Sequence, residues 1–102
     1  MQKFKIKLLE EAKEHYAIEG FNILGFFGSY ARGEATAKSD IDILYELNEN
    51  FIQTYSGFTA FARLSSIKEE LKALFGIEVD IAAKSGLSRT AEKYIMKDFK
   101  YV

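Results

Sequence analysis

The segment SDIDILYEL, residues 39–47, constrains the fold most strongly, because acidic and apolar side chains alternate along it. A period of two is typical of a β-strand, whose successive side chains point to opposite faces of a sheet. The alternation places Ile41, Ile43, Tyr45 and Leu47 on one face and Asp40, Asp42, Leu44 and Glu46 on the other. The first face needs an apolar layer against it, whereas the second carries carboxylates that are costly to bury without a partner.

Two other segments predict strands. FNILGFF, Phe21–Phe27, is short, apolar and rich in β-formers, and it ends at Gly28. GIEVDIA, residues 76–82, alternates again, with Ile77, Val79 and Ile81 on one side and Glu78 and Asp80 on the other. Asp80 therefore resembles Asp40 and Asp42 in its position on an apolar strand.

Helical periodicity fills most of the remaining chain. A first helix ends near Gly20 and places Phe4, Leu8, Ala12 and Tyr16 on one face, with Leu9 alongside. A second helix presents Phe61, Leu64, Ile67, Leu71, Leu74 and Phe75, and Gly76 stands where a left-handed C-terminal cap is expected. Ser88 is a plausible N-cap for a third helix that runs through Tyr94, Ile95 and Phe99. Residues 48–59 have no clear period and predict a loop.

The order of these elements predicts the fold class. Helix, strand, tight turn with a short helix, strand, helix, strand and helix indicate an α/β (α+β) domain, in which helices flank a small β-sheet of about three strands. The 102 residues suit a single domain over positions 1–102. A chain of this length has little room for a deep private cleft, so a partner chain or a second copy, as in a homo-oligomer, is expected to complete a site.

Composition excludes several classes of protein. Cysteine is absent and there is one histidine, which excludes disulfides, thiolate metal sites and His-rich zinc sites. The net charge of −1 argues against wrapping duplex DNA, and no direct nucleic-acid partner is expected. The first residues contain neither a signal peptide nor a membrane span, so we expect a cytoplasmic location without membrane association.

The aspartates predict a metal site. Asp40 and Asp42 point the same way from one strand, with their Cα atoms about 6.6 to 6.8 Å apart. If the strand that carries Asp80 is its neighbour, three carboxylates meet at one sheet edge. Crowded carboxylates raise one another's pKa, and a hard cation such as Mg²⁺ relieves their repulsion.

The turn after the first strand suits an anion. Gly28 allows a phosphate to approach the backbone, and Ser29 offers a hydroxyl donor just before a possible helix. Arg32 adds a positive charge, which either binds phosphate or pairs with an acid such as Glu34. Ser39 either joins these nucleotide-binding candidates or caps the turn before Asp40.

The joint pattern resembles the minimal nucleotidyltransferases of the DNA polymerase beta superfamily. Their signature is Gly-Ser, ten intervening residues and Asp-x-Asp, which Gly28-Ser29, residues 30–39 and Asp40-Ile41-Asp42 match without a gap. The fuller forms GSYARGEA and SDID are also present, and Asp80 in EVDIA corresponds to the third family carboxylate. The resemblance covers nearly the whole chain and implies a mixed sheet of the polymerase-beta palm type.

The resemblance also implies an activity, the transfer of a nucleoside monophosphate from a nucleoside triphosphate. Asp40, Asp42 and Asp80 would be the catalytic and Mg²⁺-binding residues, with Asp80 helping the acceptor hydroxyl to lose its proton. Gly28 and Ser29 would hold the outer phosphates of ATP. Small members of this kind resemble antitoxins that transfer AMP to a tyrosine of a HEPN-type toxin, and this function is our leading expectation.

Two alternatives stay open at this stage. One is a nucleotidyltransferase that acts on a small hydroxylated molecule such as an aminoglycoside, although no additional helical domain is visible for the acceptor. The other is a subunit that masks a toxin by contact, with little activity. Tyr94, Phe99 and Tyr101 are core residues by default but could form a contact patch.

Overall fold

The computed structural model describes residues 2–102, apart from the side chain of Phe4, whose predicted place on the first helix face therefore lies outside the described residues. The helices are α1 (Lys3–Ala17), α2 (Ser29–Arg32), α3 (Glu49–Thr54), α4 (Phe58–Phe75) and α5 (Arg89–Asp98). The strands are β1 (Phe21–Phe27), β2 (Ile41–Leu47), β3 (Val79–Ala83) and β4 (Lys100–Tyr101). No helix within residues 2–102 is both long and apolar enough to cross a membrane.

The strands form one mixed sheet in the order β3-β2-β1-β4 across the described chain. β1 and β2 are antiparallel, and α4 connects β2 to its parallel neighbour β3. The predicted α/β class with a small helix-flanked sheet is therefore confirmed. The bounds of β1 and β2 agree with the apolar and alternating segments of the sequence.

The fourth strand was not predicted, because β4 has only two residues and no period of its own. It pairs with β1 at Gly25 and Phe26, and the Val102 amide donates to the Leu24 carbonyl at 3.1 Å. A Cβ atom at Gly25 would lie 2.0 Å from the Lys100 carbonyl oxygen. Glycine in the middle of an apolar strand was the signal that another backbone approaches closely.

The main core lies between one face of the sheet and helices α1 and α4. Its fully buried side chains include Leu9, Phe21, Ile23, Ile41, Ile43, Ile67 and Leu71. Phe21, at the start of β1, stacks on Tyr45, near the end of the antiparallel strand β2, with ring centroids 4.5 Å apart. Apolar burial on this face supplies most of the driving force for folding.

The opposite face of the sheet is only partly covered. Leu44 and Ile95 are buried but do not belong to the main core. Phe99 lies above Gly25, because a Cβ atom built there would come within 2.6 Å of its ring. The end of α5 and the chain after it therefore cover the middle of this face.

The predicted loop at residues 48–59 is wrong in part, because α3 forms there. The Asn48 side chain caps this helix by accepting a hydrogen bond from the Phe51 amide at 3.3 Å. Phe51 is fully buried in the core. The side-chain cap and one buried apolar residue stabilise this helix of six residues. Six residues are too few to show a helical period in the sequence.

Other local predictions are confirmed. Gly76 ends α4 with a φ of +69°, and its amide donates to the Lys72 carbonyl at 2.8 Å. The Ser88 hydroxyl caps α5 by accepting from the Ala91 amide at 3.1 Å. These caps satisfy backbone groups that a helix leaves without partners at its ends.

An arginine-centred network fastens α4 to the end of α1. Arg63 donates from Nε to Glu19 Oε1 at 2.6 Å and from Nη1 to Glu70 Oε2 at 2.8 Å. Tyr55 donates its hydroxyl to Glu19, and Tyr16 donates to Glu70. The network lies near the start of β1, at the opposite end of that strand from Gly28.

We expect Arg63→Ala to lower the free energy of unfolding by about 2 kcal/mol, because it leaves the partly buried Glu19 carboxylate without its cation and removes the ion pair with the more exposed Glu70. The Arg63 and Glu19 side chains are only 19% and 22% exposed, so solvent screens their interaction weakly. Urea unfolding measures the change. Arg89→Ala, at an exposed arginine, is the control and should change stability by less than about 0.5 kcal/mol. Equal effects of the two substitutions would contradict a stabilising role for the network.

Candidate active site

The turn between β1 and α2 is built on a glycine that no other residue can replace without strain. Gly28 has a φ of +76°, and a Cβ atom there would lie 2.3 Å from Asp42 Oδ2. The Ser29 carbonyl accepts from the Glu34 amide at 2.9 Å, which folds the segment after α2 back onto the turn. The Ser29 hydroxyl makes no hydrogen bond to a described residue, so it is free to donate to a ligand.

The strand register places two of the predicted carboxylates side by side. Asp42 is paired with Asp80 across the parallel β2–β3 ladder and with Phe27 across β1–β2. The Ile41 amide donates to the Glu78 carbonyl at 3.0 Å, which fixes this register next to Asp40. Asp42 borders the Gly28 turn, and Asp40 directly precedes β2.

The Asp42 carboxyl has a raised pKa, and burial is the main cause. The charges of Asp80 and Asp40 raise that pKa further. The Arg32 guanidinium acts in the opposite direction and lowers it. The three carboxylates therefore interact electrostatically, and a cation placed among them would lower the pKa of Asp42.

The carboxylates are not gathered around a common point as they stand. Within the part of the chain that the structure describes, no three Asp, Glu, His or Cys side chains form a group ready to hold a metal ion. Asp80 instead pairs with Lys68 of α4, at 3.3 Å between Nζ and Oδ1. The donor set still suits Mg²⁺, because it consists of hard carboxylate oxygens beside a glycine cradle that a Cβ atom would fill.

Arg32 pairs with acids, which is one of the two roles that the sequence left open. Its Nε donates to Glu34 at 2.9 Å, and its charge still reaches Asp42. Its Nη1 also donates to Asp98 at 3.2 Å, a partner from α5 that the sequence did not indicate. This bond connects α2, which follows the Gly28 turn, to α5 on the partly covered face of the sheet.

Ser39 stabilises the turn that directly precedes Asp40. Its hydroxyl accepts from the Thr36 amide at 2.8 Å, which agrees with the capping interpretation. A cleft of about 460 Å³ opens beside Asp40, between the 37–40 segment and the end of α4, with Lys72 and Glu78 in its lining. Space next to the carboxylates is therefore available for part of a ligand.

The fold and this arrangement define the class of protein: a small nucleotidyltransferase domain, with its Gly-Ser turn and carboxylates on neighbouring strands. The chain belongs to the nucleotidyltransferase domain family, whose family model matches residues 5–102. The resemblance read from the sequence is thus confirmed.

Individual relatives agree with this assignment. The protein adenylyltransferase MntA of Thermococcus cleftensis is 33% identical over 93 residues, which cover 91% of this chain and 83% of the relative. A solved structure provisionally described as a minimal nucleotidyltransferase superposes with a TM-score of 0.71 at 27% identity, over 97% of this chain and 92% of that chain. A toxin–antitoxin crystal structure with AMP-PNP has the same fold, with a TM-score of 0.63 at 22% identity over 94% of this chain and 67% of that chain.

The raised pKa of Asp42 predicts a pH-dependent cost to stability. A carboxyl whose pKa is higher in the folded than in the unfolded state destabilises the fold once pH rises above the ordinary carboxyl pKa, and the full cost is present above the raised value. We therefore expect Asp42→Asn, without metal, to be more stable than the parent at neutral pH. The difference should shrink as pH falls through the raised pKa towards the ordinary one, and it should be lost below the ordinary pKa. Urea midpoints between pH 3 and 8 test this, and a constant difference across that range would refute it.

Gly28→Ala should destabilise the fold by about 2 kcal/mol, because it adds a contact with Asp42 to the strain of a positive φ. Gly33→Ala is a control for the positive φ alone, since Gly33 has a φ of +73° but nothing within 4 Å of its Cβ position. Part of the excess cost at position 28 should disappear in an Asp42→Ala background, whereas the part due to the ψ of −152° at Gly28, in a region that glycine alone adopts readily, should remain. An excess in thermal or urea unfolding that is the same in both backgrounds would mean that contact with Asp42 does not contribute to it.

Proposed function

We propose that the chain is a Mg²⁺-dependent protein adenylyltransferase that transfers AMP from ATP to a tyrosine hydroxyl of a HEPN-type toxin and so acts as its antitoxin. The observation that carries the proposal is the juxtaposition of Asp42, Asp80 and the Gly28 turn. The adenylyltransferase relative and the toxin–antitoxin neighbour support the choice of nucleotide and partner. The reaction draws on cytoplasmic ATP.

The nucleotide would be held at its outer phosphates by the turn after β1. Gly28 leaves the backbone open to a close approach, and the Ser29 hydroxyl has no competing partner among the described residues. Arg32 carries positive charge at the end of α2, although Glu34 and Asp98 compensate part of it. Ser39 would contribute indirectly, by shaping the turn that presents Asp40.

Asp40, Asp42 and Asp80 would hold Mg²⁺, which when bound offsets the negative charge of the triphosphate and of the carboxylates. Asp80 is the candidate proton acceptor, because its side chain is 59% exposed and an incoming hydroxyl can reach it. The hydroxyl oxygen forms a bond to the α-phosphorus while its proton passes to Asp80. The bond from that phosphorus to the bridging oxygen breaks, and pyrophosphate leaves with the electron pair.

The acceptor hydroxyl would come from another chain. Asp40 and Asp42 lie where the inner strand β2 begins, and Asp80 lies on β3, an outer strand of the described sheet. An edge site of this kind is accessible to a protruding side chain of a second protein. A small hydroxylated molecule and pure masking of the toxin are the alternatives that the assay below separates.

The test combines the protein, Mg²⁺ and the product of the neighbouring gene with ATP labelled in either the α- or the γ-phosphate. We expect the α-label to appear on a partner tyrosine and the γ-label to leave as pyrophosphate. Asp40→Asn/Asp42→Asn should reduce labelling by at least about a hundredfold, because it removes the charge that holds the cation and keeps the side-chain shape.

Glu46→Gln is the control for this assay, because Glu46 shares the Asp42 face of β2 but lies at its far end, opposite Asn22. It should label the partner at the parent rate. Label confined to small molecules would replace the proposal with the small-acceptor alternative. A tight complex without label, or full activity of the double variant, would refute adenylyl transfer by this site.

A further inference from the structure

The carboxylate that would complete the metal site already has a cation beside it. Lys68 Nζ lies 3.3 Å from Asp80 Oδ1. One turn further along α4, Lys72 pairs with Glu78 at 3.0 Å. Two lysines four residues apart on α4 thus reach two carboxylates on the same face of β3. Only the first of these carboxylates pairs in register with Asp42.

We propose that Lys68 is the resident counter-cation of Asp80, which a divalent ion must displace before Asp80 can join the site. This inference rests on the proposed function and deepens it, because it names the residue that sets the metal affinity of the site. It also accounts for the carboxylates not being gathered around a common point, since Asp80 satisfies its charge with α4 instead. Lys68 acts through Asp80 and is therefore a positioning residue.

The physical chemistry favours exchange over permanent pairing. The Lys68 and Asp80 side chains are 37% and 59% exposed, and exposed ion pairs are weak. A lysine ammonium is a point charge on a flexible stem, so it can withdraw into solvent when another cation arrives. A divalent ion that also contacts Asp40, Asp42 and a triphosphate gains more from the carboxylate than a single ammonium does. Lys68 thus offsets carboxylate repulsion without metal and competes with metal at low concentration.

The experiment measures Mn²⁺ binding to the whole chain without nucleotide, by calorimetry and by the loss of the free Mn²⁺ signal in electron paramagnetic resonance. Lys68→Met should lower the dissociation constant about two- to fivefold, because it removes a competing charge and keeps the length of the stem. Lys93→Met, at an exposed lysine of α5 that makes no ion pair with a described residue, is the control and should leave the constant unchanged. Lys68→Arg keeps the charge, so its dissociation constant for Mn²⁺ should equal or exceed that of the parent.

A second measurement separates competition from a general loss of stability. Without metal, Lys68→Met should unfold at a slightly lower temperature than the parent, and Mg²⁺ should raise that temperature by more than it does in the parent. Lys93→Met should show the parent's increment. An unchanged or weaker Mn²⁺ affinity in Lys68→Met would overturn the inference.

The result with Asp80→Asn distinguishes failure of this inference from failure of the proposed function. If Asp80→Asn loses Mn²⁺ affinity while Lys68→Met matches the parent, the metal site stands and the role of Lys68 is refuted. If the parent binds no Mn²⁺ either alone or with ATP, the proposed function fails at its metal site and the inference fails with it.

Discussion

The parallel pairing of β2 and β3 is the constraint on which the rest of the structure depends. It sets Asp42 beside Asp80, and the β1–β2 register then sets the Gly28 turn against the same carboxylate. Both pairings follow from apolar alternation on the core face, where Ile41, Ile43 and Val79 are buried. Since a shift of one residue would move every side chain to the other face, the core also determines which acids meet at the site.

Stabilising and destabilising charge interactions occupy opposite ends of β1. Near its start, Arg63 joins Glu19 and Glu70 in a network whose charges compensate one another. Near its end, burial and the charges of Asp80 and Asp40 raise the pKa of Asp42, and Arg32 compensates them only in part. A cation site requires negative charge that is not fully compensated. Repulsion between these carboxylates destabilises the fold, and packing elsewhere in the domain offsets it.

Most of the fold could be predicted from the helical and strand periods of the sequence. The residues of the candidate site could be predicted from the spacing between the Gly-Ser pair and the Asp-x-Asp motif. The Asp42–Asp80 juxtaposition was predicted on the condition that their two strands are neighbours, and the parallel pairing of β2 with β3 meets that condition. β4 and α3 could not be predicted in the same way, since Gly25 and Phe51 act through single tertiary contacts without a repeating pattern. The partners Lys68 and Asp98 were missed because ion pairs such as Arg32–Asp98, 66 residues apart, depend on how helices pack on the finished sheet.

The contact between Arg32 and Asp98 gives the C-terminal segment a place in the site as well as in the fold. α5 covers the face of the sheet that carries Asp42, and the only hydrogen bond between its side chains and another element within residues 2–102 is the one from Arg32. The following strand β4 is short and pairs only with β1, the strand that leads into the Gly28 turn. The last residues therefore contact the β1–α2 region at two points, through Asp98 on Arg32 and through Lys100 on Gly25. A protein that bound the exposed Tyr94 or Tyr101 would contact the segment that makes both of these contacts.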